Sequence, residues 1–303
     1  MSSRPPSPYS LVVILGPTAS GKSSLAIKLA RKFSGEIISA DSRQVYKGMD
    51  IGTGKITRQE RKLVPHYLLD VASPKKQFTV SDFKKLGVEA IEKIQKKHKV
   101  PFIVGGTAFY IYSLIDNLNI PEVKPNIQLR KELVKKSPAQ LFAMLKKLDP
   151  ARAKTIDPKN PARLIRAIEI IKSTGKPVPS LSSLPPSPFP LLLGIRKDQN
   201  ELYKLIDKRL EQRLKAGMIT EVKKLKKSGL TWKRLESFGL EYCFVALHLQ
   251  GLITYEEMTE QLKNAIHHFS KRQMTWFKRD SRIHWVKNQK EAEKLIRNYL
   301  QNS

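Results

Sequence analysis

Short apolar runs recur along the chain. Leu11–Leu15, Glu36–Ser39, Tyr67–Val71, Pro101–Val104, Leu191–Ile195 and Arg282–Val286 are rich in Val, Ile or Leu and bounded by turn residues, which predicts six strands. Helical periodicity lies between them, for example over Ser23–Lys32, Val80–Lys97 and Ala108–Leu114. Strand and helix in alternation predict an α/β fold, a mostly parallel sheet flanked by helices. The alternation stops near Leu118. From there to Lys176 no strand pattern occurs, and IQLRKELVKK, PAQLFAMLKKLDP and PARLIRAIEIIKSTG read as successive helices. Ser137-Pro138 and Asp157-Pro158 separate them. PVPSLSSLPPSPFP then makes a stiff return, and LLLGI resumes the sheet pattern. Beyond it the pattern is mostly helical, over Glu201–Lys215, Ile219–Lys227, Leu240–Leu249 and Glu256–Phe277. The expected organisation is a core over 1–117 and 187–303, with an all-helical insertion over 118–186.

Composition narrows the class. Of 303 residues 40% are hydrophobic, enough for a substantial core. Cys243 is the single cysteine, which excludes an internal disulfide framework and fits a reducing cytoplasm. MSSRPPSPYS has no apolar stretch of the kind a secretory signal needs, and no run approaches a membrane span. The formal net charge of +29 is far beyond what solubility requires. Such a field attracts a polyanion, nucleic acid first among them. Lysine covering solvated helix faces is the simpler alternative, and charge does not choose between DNA, RNA and anionic lipid.

Candidate chemistry begins at GPTASGKS. It satisfies G-x-x-x-x-G-K-[ST], with a strand before it and a helix after it. Residues Gly16, Pro17, Thr18, Ala19, Ser20, Gly21, Lys22, Ser23 and Ser24 are expected to cradle a phosphate. Backbone amides and the positive helix end hold the anion, Lys22 adds a point charge, and the Ser23 hydroxyl can hold Mg²⁺. A glycine turn at a strand end is the simpler reading. The pattern names no base, and no guanine-reading NKxD occurs. Asp70, in YLLD, is the one strand-end carboxylate that resembles a second Mg²⁺ anchor. The other candidate strand end, PFIVGGT, finishes in glycines and Thr107.

In ISADSRQVYKGMDIGTGK, Asp41 follows the second strand and is expected at the same crevice as the loop. There it can bind metal, accept a proton or cap a turn. Arg209 and Arg213 stand four apart on a helix, able to grip phosphate; by pattern alone a solvated face is favoured. HHFSKRQMTWFKRDSRIHW interleaves Lys271, Arg272, Lys278 and Arg279 with Trp276 and Phe277. That suits backbone contact and stacking on unpaired bases, or a basic amphipathic helix packed through its aromatics. His267 and His268 are adjacent, which does not suit a zinc pair.

GPTASGKS, ISADSRQVYKGMDIGT, PHYLLD, FIVGGTAFY, RLIRAIEI and KRQMTWFKR, in this order and spacing, resemble the tRNA dimethylallyltransferases, also called tRNA isopentenyltransferases. The resemblance runs from Leu11 to Trp285. It implies a P-loop NTPase-like core whose cradle holds dimethylallyl diphosphate rather than a nucleoside triphosphate. It implies transfer of the dimethylallyl group to N6 of the adenine just 3′ of the anticodon, and an insertion that grips the anticodon stem-loop. By matching the family's motifs, Asp41 becomes the general base, and Lys22, Ser23 with Mg²⁺, and Arg213 stabilise the leaving diphosphate. Thr107 matches a position near the reacting groups. The tRNA-contacting positions become Asp41, Ser42, Arg43, Gln44, Thr107, Arg163, Arg166, Gly239, Tyr242, Lys271, Arg272, Gln273, Thr275, Trp276 and Lys278. Three departures stand out. Ala162 replaces an expected glutamine, and Gly54 stands where alanine is commoner. FGLEY occupies the place of a GY[KR] tripeptide, so a basic or aromatic contact is expected to be lost there or moved to Tyr242. A monomer in the cytoplasm is expected. Two other classes fit parts of the sequence: a small P-loop kinase, which needs neither the charge nor the insertion, and a non-catalytic RNA-binding module, against which the intact Lys22, Ser23 and Asp41 argue.

Overall fold

The computed structural model of the chain describes residues 10–179 and 190–302. It contains two compact units, one formed by Met1–Ile115 with Pro186–Ser303 and the other by Asp116–Pro185.

The first unit is built on a six-stranded sheet of β1 (Val12–Leu15), β2 (Gly35–Ala40), β3 (His66–Tyr67), β4 (Val100–Gly105), β5 (Leu191–Ile195) and β6 (Ile283–Val286). The order is β3-β2-β4-β1-β5-β6 and every pairing is parallel. The central strands are apolar because both faces are covered. Alternate residues feed two core layers. Val13 and Leu15 share one with Phe83, Ile111, Ile206 and Leu262. Val12 and Ile14 share the other with Ala26, Leu29, Ala292 and Ile296. These helical residues come from α1 (Lys22–Lys32), α3 (Val80–Gln95), α4 (Ala108–Ile115), α9 (Gln199–Lys215), α13 (Tyr255–Phe277) and α14 (Gln289–Gln301). β2, β3 and β4 lie on one side of β1, and β5 and β6 on the other. The crevice at the carboxyl ends of β1 and β4, where the strand order reverses, is the place for a ligand.

The structure departs from the apolar pattern at one strand and at several helices. The third strand, expected over Tyr67–Val71, is only His66–Tyr67. Leu68 and Asp70 take left-handed backbone, φ 61° and 58°, which ends the extended run. The pattern also passes over two helices of six residues, α2 (Arg58–Leu63) and α11 (Trp232–Ser237), and over the longer α14. Thr57 and Thr231 cap the two short helices by accepting the amides of Glu60 and Arg234. Between α9 and α13 the first unit adds α10 (Met218–Lys227) and α12 (Leu240–Leu249).

The second unit contains α5 (Ile127–Leu133), α6 (Pro138–Leu148), α7 (Pro150–Ala153) and α8 (Pro161–Thr174). Leu133, Leu141, Leu145, Leu164 and Ile168 form its core. Ser137 and Gln140 close a capping box with Pro138 in the first turn of α6. The buried carboxylate of Glu169 accepts from Asn126 N, from Arg130 through two nitrogens and from Arg166. Residues 180–189 of the proline-rich return lie outside the described residues.

Candidate active site

The chain leaves β1 at Leu15 and turns through residues 16–21 before α1 begins at Lys22. Ala19 and Gly21 are left-handed, φ 60° and 86°, which turns amides of the loop inward. Gly21 supplies no side-chain cap and the first turn of α1 carries no acid. The first amides of α1 are therefore left for an anion. Ser23 and Ser24 are exposed at this helix end, whereas Ser20 is buried, with no hydrogen-bond partner for its Oγ among the described residues. Lys22 Nζ folds back to donate to Pro17 O at 3.1 Å. Burial of the ammonium group lowers its pKa to about 8; Arg209 and Arg213 push the same way, and Asp41 opposes them. The Thr18 amide is already taken, by Gln273 Oε1 at 2.9 Å. Gln273 Nε2 donates in turn to Gly106 O at 2.8 Å, which ties the loop to the end of β4. A Cβ at Gly106 would push Gln273 Nε2 out of this bond.

Asp41 follows β2, and its Oδ1 accepts the amides of Arg43 at 2.8 Å and Gln44 at 3.3 Å. The turn-capping reading thus holds for one oxygen. Oδ2 has no hydrogen-bond partner among the described residues. Thr107 Oγ1 accepts from Ser42 N at 3.1 Å, which joins the turn after β2 to the turn after β4. Ser39 donates to Gln44 Oε1 at 3.1 Å, and Arg43 Nε donates to Phe238 O at 2.6 Å.

The arginines of α9 do not form a solvated face. Arg213 is 12% exposed; its Nη1 donates to Gly52 O at 3.1 Å and to Glu241 Oε1 at 2.8 Å. Burial pushes the Glu241 carboxyl up, and Arg213 opposes this. Arg209 Nη2 donates to Gly54 O at 3.2 Å. Burial lowers Arg209 to about 10, Arg213 adds to that, and Glu241 and Asp41 oppose it. Gly54 is left-handed, φ 58°, and a Cβ there would overlap the tips of both arginines. The loop that carries these carbonyls is held by Glu221 of α10. Its Oε2 accepts from Asp50 N and Ile51 N, and its Oε1 from Gly52 N and the Tyr242 hydroxyl.

Three cavities meet here. A recess of about 70 Å³ is lined by Lys22, Ser23, Asp41 and Arg209 together with Ala26, Ile37, Ile56 and Val104. A groove of about 1070 Å³ runs from Lys22 and Ser23 past Arg209 and Arg213. A third, of about 340 Å³, is lined by Thr18, Asp41, Thr107, Arg213 and Glu241. Lys22, Ser23, Asp41, Thr107 and Arg213 are thus brought to one place.

Other expected residues sit differently. Tyr242 is 1% exposed with its hydroxyl on Glu221, so it supports the 50–52 loop and offers no contact to RNA. Gly239 caps α12, and the next two residues, Leu240 and Glu241, bring no basic side chain to this place. Gln273 and Phe277 are buried on the inner face of α13, while Lys271, Arg272, Thr275, Trp276 and Lys278 face out. Trp276 is 44% exposed. In the second unit Arg163 and Ala162 are exposed, whereas Arg166 is bound to Glu169 at 2.6 Å. Asp70 is committed to Lys55 and Arg61, at 2.6 and 2.8 Å. Among the described residues no three His, Cys, Asp or Glu side chains form a metal cluster. No motif singles out Glu221 or Glu241 as a site residue. Glu221 is visible in the sequence only as one acid on the apolar face shared by Met218, Val222 and Leu225.

A family profile described as IPP transferase matches residues 44–280. The chain belongs to the IPP transferase family. It is 43% identical over 283 residues to tRNA dimethylallyltransferase 1 of Geotalea daltonii, covering 92% of this chain and 91% of that one. It is 40% identical over 305 residues to the tRNA dimethylallyltransferase of Thermoanaerobacter sp. (strain X514), covering 96% and 97%. Among solved structures it resembles the tRNA isopentenylpyrophosphate transferase of Bacillus halodurans, with a TM-score of 0.74, 35% identity and 97% of each chain covered. It also resembles a eukaryotic dimethylallyltransferase acting on tRNA, with a TM-score of 0.77 and 27% identity over 92% of this chain and 73% of that one. These relatives match the prenyl-transfer expectation and not the kinase alternative. Among the described residues no helix is long and apolar enough to cross a membrane.

Proposed function

We propose that this protein moves the dimethylallyl group of dimethylallyl diphosphate to N6 of the adenine immediately 3′ of the anticodon of a tRNA, releasing diphosphate. The observation that carries the reading is the junction of cavities at Asp41. Asp41 lines both the recess that contains Lys22, Ser23 and Arg209 and the cavity that contains Thr107 and Arg213. A donor held by its diphosphate and an acceptor base in a second cavity need one carboxylate between them, and Asp41 stands in both linings.

The cradle amides, Lys22, Arg209 and Arg213 hold the diphosphate beside Asp41. The adenine amine is a weak nucleophile because its lone pair is delocalised into the ring. As the N6–C1 bond forms, the C1–O bond breaks and its electron pair stays on the diphosphate. The N6 proton passes to Asp41 Oδ2, a carboxylate that needs no unusual basicity because the attacked amine becomes acidic. The three cations meet charge that develops on the leaving oxygen, which is where fixed charge lowers a barrier. The target base leaves its stack to reach this cavity.

Ser23 fits a Mg²⁺ site: its exposed hydroxyl stands at the anion-binding end of α1 and lines both donor cavities. A single hydroxyl suits an ion that takes its other oxygens from diphosphate and water. When bound, Mg²⁺ would neutralise charge on the diphosphate. The outward stripe of Lys271, Arg272, Trp276 and Lys278, the second unit and the +29 charge suit the anticodon stem-loop. The single cysteine and the one large substrate support a monomer acting in the cytoplasm.

The test is an incubation with Mg²⁺, unmodified tRNA and either dimethylallyl diphosphate or ATP, followed by mass analysis of the tRNA nucleosides. Prenylated adenosine is expected with the prenyl diphosphate alone. Unmodified adenosine, with folded protein and a tRNA bearing adenine 3′ of its anticodon, overturns the reading.

A further inference from the structure

We propose that Glu241 is a positioning residue, which holds the Arg213 guanidinium in the wall between the donor groove and the acceptor cavity. The inference rests on the prenyl-transfer reading above. Arg213 lines both the groove that contains Lys22 and Ser23 and the cavity that contains Asp41 and Thr107. A long side chain in such a wall has many rotamers to lose. Two acceptors, Glu241 Oε1 and Gly52 O, fix it through a single nitrogen, Nη1. Its remaining donors stay available to a diphosphate.

The pair is largely buried, with side-chain exposures of 12% for Arg213 and 13% for Glu241. A pair withdrawn from water cannot lose one partner without stranding the other. The backbone is shaped to deliver the carboxylate. Gly239 and Leu240 are consecutive residues of positive φ, 71° and 40°, immediately before Glu241. For Leu240 that conformation is uncommon, and it bends the entry to α12 so that Glu241 reaches α9. The charge of Asp41 acts on both Arg209 and Glu241 at this junction. Without Glu241, Arg213 is free to swing onto Asp41 and mask the base. Glu241 keeps the cation on the diphosphate side and the base open.

The experiment is a double-mutant cycle of Glu241→Gln and Arg213→Ala, with Glu241→Asp as a second probe that keeps the charge and shortens its reach. The readouts are single-turnover prenyl transfer at saturating tRNA, tRNA Kd and melting temperature. Glu241→Gln and Glu241→Asp are expected to slow transfer by about tenfold or more, with tRNA Kd within about twofold, because the loss acts through a partner. In the Arg213→Ala background, Glu241→Gln is expected to change the rate by less than about twofold, since coupled residues are not additive. Independent losses that multiply, or full activity of both folded Glu241 variants, overturn the proposal. Absence of prenyl transfer by the unaltered protein defeats the functional reading instead.

Discussion

Lys22 shows how the environment of one side chain sets a measurable behaviour. It is surrounded by Arg209, Arg213 and Asp41, and burial brings it down to about 8 from the ordinary 10.5. Without donor it is therefore charged below about pH 8 and loses its charge as pH rises through that value. Between about 8 and 10.5 the unfolded chain binds more protons at this lysine, so its contribution to stability improves with rising pH in that window. Donor binding has the opposite dependence, because diphosphate favours the ammonium. Dimethylallyl diphosphate affinity should decline above about pH 8, and binding at about pH 9 should take up a proton. Calorimetry in two buffers of different ionisation enthalpy measures both. Affinity that stays flat through this range contradicts the assignment. The motif makes Lys22 and Ser23 legible in the sequence. The burial of the i, i+4 arginines is not legible, because spacing gives a helix face and does not say that a buried carboxylate on α12 lies opposite it.

At the level of elements, α13 is the clearest case of two jobs on one helix. Its KRQMTWF segment reads as a basic and aromatic RNA stripe, and Lys271, Trp276 and Lys278 do face outward. Gln273 and Phe277, four apart, face in. Gln273 joins the Thr18 amide to the Gly106 carbonyl and so fixes the cradle against β4. Gln273→Ala leaves both groups without that partner, at a cost of about 1–3 kcal/mol each for a buried polar group. The expected result is a melting temperature lower by several degrees and a raised donor KM, with tRNA Kd little changed. Donor and tRNA titrations of the variant separate the two; a loss confined to tRNA binding would return Gln273 to the RNA stripe. The strands β1, β4 and β5 are legible because doubly covered parallel strands are continuous apolar runs. The pattern overextends β3 because Leu68 and Asp70 change backbone hand where apolarity does not change. It passes over α2 and α11 because a six-residue helix depends more on its threonine cap than on a periodic face.

For the whole molecule, strand order does what no motif does alone. The carboxyl ends of β1, β2 and β4 stand side by side in the sheet, which brings residues 16–24, Asp41 and Thr107 to one crevice from three distant stretches of sequence. The linking residues, Gln273, Glu221 and Glu241, come from helices in the last third of the chain, where the sequence pattern offers charge and periodicity but no partner. The excess of positive charge, legible from composition, points to the polyanion and not to the reaction. The reaction depends on Asp41. Its Oδ1 is occupied by the amides of Arg43 and Gln44, and Oδ2 is left for the amine proton. Asp41→Asn keeps an oxygen for those amides and removes the base, so the turn survives the substitution. Single-turnover prenyl transfer by this variant is the most direct measurement. A rate lower by about 10²–10⁴-fold, with tRNA Kd within a few fold, is the predicted result. A rate near that of the unaltered protein would contradict the role of Asp41 as the base.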